Sequence, residues 1–214
     1  MAKIIAIDGP ASVGKSTLAK KISKKFRAPV LFSGKLYRAL ALEIIKRKIN
    51  LNNTEEILKC ITSIDSGYLS SAELYSSEVD NVSSIISAKK QVRNKLIKFQ
   101  RSFPKNCGDN IKFAIIEGRD IGTIIFPNAN YKIFLWATSE VRAKRRYDQL
   151  RKNGKNVSYS KIFKEINVRD QKDMTREIAP LMPAANSVLL DTSYIDIEQA
   201  FNAIKQIILK TKTI

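Results

Sequence analysis

Residues 5–17, "IAIDGPASVGKST", decide how the rest of the chain reads. An apolar run stops at Asp8, and glycines, a lysine and hydroxyls follow it directly. Residues 9–16, "GPASVGKS", satisfy the spacing G-x-x-x-x-G-K-[ST] without a mismatch. Gly9 and Gly14 let the backbone curl so that its N–H groups face phosphate oxygens, and a helix starting near Ser16 adds its positive end. Lys15 then reaches the β- and γ-phosphates, and the Ser16 hydroxyl is the candidate ligand for Mg²⁺. Gly9, Pro10, Ala11, Ser12, Val13, Gly14, Lys15, Ser16 and Thr17 therefore form the candidate binding segment for a nucleoside triphosphate. A glycine turn with a surface lysine is the bland alternative, and it explains neither the spacing nor the strand before the loop.

Outward from this loop, short apolar runs alternate with helical periodicity. Residues 3–8 read as a strand, 16–26 as a helix, 29–32 as a second strand, and 36–48 and 52–61 as helices. Residues 62–84 change character, being serine-rich, acidic and weakly apolar, and read as a small appended lobe packed through Tyr68, Leu69, Leu74 and Tyr75. A helix is expected over 88–103, closed by Pro104 and Gly108. Strands follow at 113–116, 131–137 and 187–190, with helices from Ser139, over 160–172 and over 197–210. Apolar strands alternating with helices predict an α/β chain whose parallel sheet is covered on both faces.

At 214 residues, one domain with lobes is the expectation. The apolar runs are too short to span a bilayer, and the opening one is interrupted too early to read as a signal peptide. Cys60 and Cys107 lack a C-x-x-C spacing, which fits a reducing cytoplasm. Histidine is absent, so any mechanism that needs imidazole is excluded. The formal charge of +18 fits polyanion binding, whether of nucleic acid or of phosphorylated small molecules, but for the lysines a solvated surface is the better reading, and only particular arginines stay open.

Phosphoryl transfer asks a protein for in-line placement, neutralisation of spreading charge and exclusion of water. Arginine suits this because it stays charged and forks onto two oxygens. Arg38, Arg119, Arg142, Arg145, Arg146, Arg169 and Arg176 stand where strands and loops end. Arg119, in "EGRD" after "FAII", emerges where a parallel sheet binds its ligands. A GTPase would carry an Asn-Lys-x-Asp reader after a later strand, and "YKIFLWATSEVRAKRR" has none. A basic nucleic-acid-binding ATPase stays open, with Glu117 or Asp120 as its acidic strand end.

Taken together, "IAIDGPASVGKST", "SGKLYRALA", "EGRDIGTIIFPNANYKIFLWATSEVRAKRR" and "VRDQKDMTREIAPLMPA" resemble bacterial cytidylate kinases, in order, from residue 3 to about residue 205. The resemblance implies a nucleoside-monophosphate-kinase fold: a five-stranded parallel sheet with helices on both faces, a monophosphate-binding insert at about 41–84 and a short lid at about 149–165. The core would then span about 1–40, 85–148 and 166–214. It implies transfer of the γ-phosphoryl of ATP to CMP or dCMP with Mg²⁺, by a cytoplasmic monomer with no nucleic-acid or membrane partner.

By position, Ser33, Tyr37 and Arg38 would hold the acceptor phosphate side, with Arg119 and Arg176 completing the clamp beside Gly118. Arg169 and Asp173 would meet the sugar, while Ser84, Arg93 and Asp120 would read cytosine. Lys15, Arg119 and Arg176 would act in catalysis, and Arg142 and Arg146 would contact ATP phosphates. Two residues depart from the pattern. Phe32 stands where the family usually has Asp before Ser-Gly, and Glu117 where it usually has Asp before Gly-Arg-Asp. A UMP kinase is the neighbouring alternative.

Overall fold

The computed structural model describes residues 2–61, 72–108 and 110–210. Strands β1 (Lys3–Asp8), β2 (Val30–Phe32), β3 (Phe113–Glu117), β4 (Tyr131–Trp136) and β5 (Val188–Asp191) form one sheet in the order β2-β3-β1-β4-β5. Every pairing is parallel. The registers bring Phe32 opposite Glu117, Glu117 opposite Ile7, and Asp8 opposite Phe134, so these strands end along one rim. The chain leaves β1 towards β2 and leaves β4 towards β5. This reversal beside β1 opens a crevice where the glycine loop emerges.

Alternation along the strands sends apolar side chains to both faces. Ala6, Leu31, Ala114 and Ile116 meet Leu36, Leu40 and Ile44 of α2 (Ser33–Lys46), Ile57 of α3 (Thr54–Ile61), Val79 and Ile86 of α4 (Ser77–Ser87), and Val92 and Leu96 of α5 (Lys90–Ser102). On the other face Ile5, Ile7, Ile115, Ile133 and Leu135 meet Leu18 and Ile22 of α1 (Lys15–Phe26) and Ile204 and Ile208 of α8 (Ile197–Lys210). A satellite cluster of Ala143, Ile162 and Ile166 joins α6 (Ser139–Lys152) to α7 (Tyr159–Thr175).

Two boundaries differ from the sequence reading. The second helix begins at Ser33 rather than Leu36, directly after β2, so Ser33 and Gly34 belong to its first turn. Residues 77–87 form a helix of their own, α4, where a lobe up to residue 84 and a single helix over 88–103 were expected. The segment is poor in strong helix formers. It is held by the Ser76 hydroxyl, which caps it by accepting from the Val79 N–H at 3.2 Å, and by burial of Val79, Val82 and Ile86. Leu74 is fully buried as expected, whereas Tyr75 is exposed; Tyr68 and Leu69 lie outside the described residues.

Candidate active site

The glycine loop turns immediately after Asp8. Gly9 has φ +147°, and a Cβ there would overlap the Leu135 carbonyl oxygen, so no other residue fits between β1 and β4. Gly14, at φ +100°, caps α1. Residues 11–17 line a cleft of about 1080 Å³, while Gly9 and Pro10 shape the loop from outside it. The Lys15 ammonium is buried and donates to the Pro10 carbonyl at 2.6 Å, with Glu117 Oε1 3.9 Å away. Burial first, and then the Arg119 charge, pull its pKa well below the ordinary lysine value; Glu117 opposes them. The Ser16 hydroxyl donates to Glu117 Oε2 at 3.0 Å.

Asp8 fastens the opposite wall. Its Oδ1 accepts from the Ile121 N–H at 2.9 Å and its Oδ2 from the Gly122 N–H at 2.7 Å. The strand end before the loop is thereby tied to the π-helical turn Ile121–Ile125, directly after "EGRD". Burial pushes the Asp8 carboxyl up to about 7 against the pull of those two N–H groups.

The same cleft continues from the loop into a second cationic pocket. Ser33, Tyr37 and Arg38 reach it from α2, Ser84 from α4, Arg93 from α5, Gly118, Arg119 and Asp120 from the rim of β3, Arg169 and Asp173 from α7, and Arg176 from just beyond that helix. Every residue that the sequence placed on the acceptor side lines this cleft. Asp120, 6% exposed, forms a buried ion pair with Arg93 and lies 4.0 Å from Arg176 Nη2. Asp173 accepts from Arg119 Nε at 3.1 Å. Burial alone would raise the Asp173 pKa, but Arg119, Arg169 and Arg176 outweigh it and hold the carboxyl below its usual range. The Tyr37 hydroxyl, pushed up to about 12 by burial, stays protonated; it and Arg176 Nη2 are buried without a hydrogen-bond partner.

Two expected ATP contacts separate. Arg146 lines the cleft and donates to Gln149 Oε1 at 3.0 Å. Arg142 does not line it, which corrects its expected place among phosphate contacts. It is 2% exposed, donates to the carbonyls of Ala137 (2.8 Å) and Ala11 (3.2 Å), and pairs with Asp170 of α7. These partners satisfy its charge and hold the loop from behind. Arg145 lines the cleft instead, beside Thr192, whose hydroxyl accepts from Arg145 Nη1 at 3.0 Å, and close to Ile195 and Ile197.

The sequence reading assigned no role to Gln100, whose amide donates to the Ser33 hydroxyl oxygen at 2.5 Å. It also missed Asp80, whose Oδ1 accepts from both Arg38 and Arg169. No motif marks either residue, because each meets its partner only through folding. Phe32 lines the cleft, and the ammonium groups of Lys20 and Lys35 lie 6.0 and 5.5 Å from its ring centroid.

Comparisons with known proteins agree with this arrangement. The family model described as cytidylate kinase matches residues 5–210. A cytidylate kinase of Methylocella silvestris is 40% identical over 200 residues, covering 94% of this chain and 91% of the relative. Another, from Fusobacterium nucleatum, is 38% identical over 221 residues and covers 98% of each chain. A solved structure of an uncharacterized protein from Eubacterium ventriosum superposes with a TM-score of 0.57 at 14% identity, over 98% of this chain and 99% of that one, a likeness of fold alone. With a glycine loop and an arginine-lined second pocket sharing one cleft, and with the match running over nearly its whole length, the chain belongs to the cytidylate kinase family.

Proposed function

We propose that this enzyme transfers the γ-phosphoryl group of ATP to CMP or dCMP, giving ADP and CDP or dCDP. The observation that carries the reading is that the buried Asp120–Arg93 pair and the glycine loop line one continuous cleft. Cytosine offers an amino donor where uracil offers a carbonyl acceptor, so the accepting oxygens of Asp120 favour the former. Arg176 Nη2 and the Tyr37 hydroxyl, buried donors without partners, are suited to an incoming phosphate or base.

In this mechanism an oxygen of the CMP phosphate attacks the γ-phosphorus in line. The bond from that phosphorus to the β-bridging oxygen breaks, and ADP leaves with the electron pair. The attacking oxygen is already anionic, so no general base is needed and the absence of histidine is no obstacle. Lys15 and the N–H groups of the loop bind the triphosphate, and Arg119 and Arg176 neutralise charge as it spreads over the transferring group. ATP is proposed to enter with Mg²⁺. Ser16 Oγ and Glu117 Oε2 offer adjacent hard oxygens, and the described residues hold no cluster of three or more acidic, Cys or His side chains. That donor set fits an ion that keeps water and phosphate ligands, and the ion supplies charge neutralisation at the phosphates when bound.

Residues 41–84 serve as the acceptor-side insert and 149–165 as the lid that keeps water out. The enzyme is proposed to work as a cytoplasmic monomer, as the family resemblance implies. Steady-state assays with CMP, dCMP, UMP and AMP as acceptors test the reading. The expected result is the highest kcat/KM for the two cytidine nucleotides, and a preference for UMP or AMP over both overturns it.

A further inference from the structure

Ser33 opens α2 and faces the acceptor end of the cleft, where its proposed role is contact with the acceptor phosphate. Its hydroxyl carries one proton and two lone pairs, so it offers an anion either a donor or a repelling lone pair, depending on rotation. Behind Ser33 lies Gln100. This side chain is 1% exposed, follows Arg93 and Leu96 along the buried face of α5, and does not line the cleft. Its Nε2 donates to Ser33 Oγ at 2.5 Å, across 67 positions of sequence.

Building on that role of Ser33, we propose that Gln100 is a positioning residue that occupies a lone pair of the Ser33 hydroxyl and so turns its proton towards the acceptor phosphate. An amide donor cannot share a hydroxyl's proton; the proton must point elsewhere, and the accessible direction is the cleft. The Gln100 Oε1 atom is buried without a partner. Turning the amide over would make Ser33 the donor to Oε1 and leave both Nε2 hydrogens unmet, where the observed orientation leaves Oε1 and one of those hydrogens unmet. In the observed orientation the cleft receives a donor fixed before substrate arrives.

A double-mutant cycle on the full chain tests this, using Gln100→Met, which keeps the volume and removes the donor, Ser33→Ala, and the pair together. Gln100→Met is expected to raise KM for CMP about threefold to tenfold with KM for ATP unchanged, and to have less than about a twofold effect when Ser33 is already Ala. Gln100→Glu, of nearly the same shape, draws the Ser33 proton to itself and is expected to raise KM for CMP more than Gln100→Met does. Equal factors for Gln100→Met with and without Ser33 overturn the proposal, as does Gln100→Glu binding CMP no worse than Gln100→Met. An unchanged KM for ATP shows that each variant is folded. Wild-type enzyme assayed in the same series separates the two readings: absent CMP turnover defeats the cytidylate assignment, whereas intact turnover with an additive cycle defeats the role of Gln100 alone. In the former case the cycle is read on binding of inorganic phosphate by calorimetry, with the same expected loss of additivity.

Discussion

The proposed selectivity and a share of local stability meet in one side chain, Asp120. Its carboxylate is buried against Arg93, with Arg176 Nη2 4.0 Å away. A buried acceptor left facing a uracil lone pair costs about 1–3 kcal/mol, and more when charged. Asp120→Asn keeps the outline but can turn a donor towards uracil. The ratio of kcat/KM for CMP over UMP is therefore expected to fall by a factor of about ten or more, chiefly through a weaker reaction with CMP. An unchanged ratio in the variant would show that cytosine is read elsewhere. Arg93 left without its carboxylate partner should also lower the thermal midpoint.

At the scale of elements, Asp8 ties the end of β1 to the turn Ile121–Ile125, so the glycine loop and the turn after "EGRD" share an anchor. Its pKa is raised to about 7, above the ordinary carboxylate value it recovers on unfolding. Between those two values the folded protein holds a proton that the unfolded chain has released. The Asp8 contribution is thus complete below the unfolded pKa and is lost as pH rises through about 7. Denaturant midpoints measured from pH 4.5 to 7.5 should fall more steeply for wild type than for Asp8→Asn, whose amide does not titrate. Parallel slopes would place the Asp8 pKa in the ordinary range. Arg142 plays a comparable part between α6, α7 and the glycine loop, through Asp170 and the Ala11 carbonyl.

Over the whole molecule the charge of +18 is divided between two settings. In the cleft, arginines face Asp80, Asp120 and Asp173, carboxylates that hold them in place. On the outer surface, the aromatic residues of the basic α6–α7 region pack on one another: Tyr147 and Tyr159 meet edge to face, and Tyr159 stacks with Phe163. In that basic region the rings are engaged with one another, so nucleic-acid contact there should be electrostatic and weak. Filter binding of single-stranded RNA is expected to fall by at least about tenfold between 50 and 200 mM salt. Tight retention at the higher salt, without CMP turnover, would favour a nucleic-acid-binding ATPase instead.

Much of this was legible in the chain before folding. The glycine loop, the parallel α/β alternation and the arginines at strand ends follow from spacing and periodicity, because phosphate binding and strand pleating impose short-range order on a sequence. The acceptor residues became legible through family resemblance, and folding brings all of them to one cleft. The α4 helix escaped notice because its serines, Asn81 and β-branched residues are weak helix formers, and burial of Val79, Val82 and Ile86 overrides them. Tertiary structure alone decided that Arg142 turns inward to Asp170 while Arg145 and Arg146 line the cleft, and that Gln100 meets Ser33. Those choices depend on which distant groups satisfy a buried charge or donor, and no spacing along the chain records that.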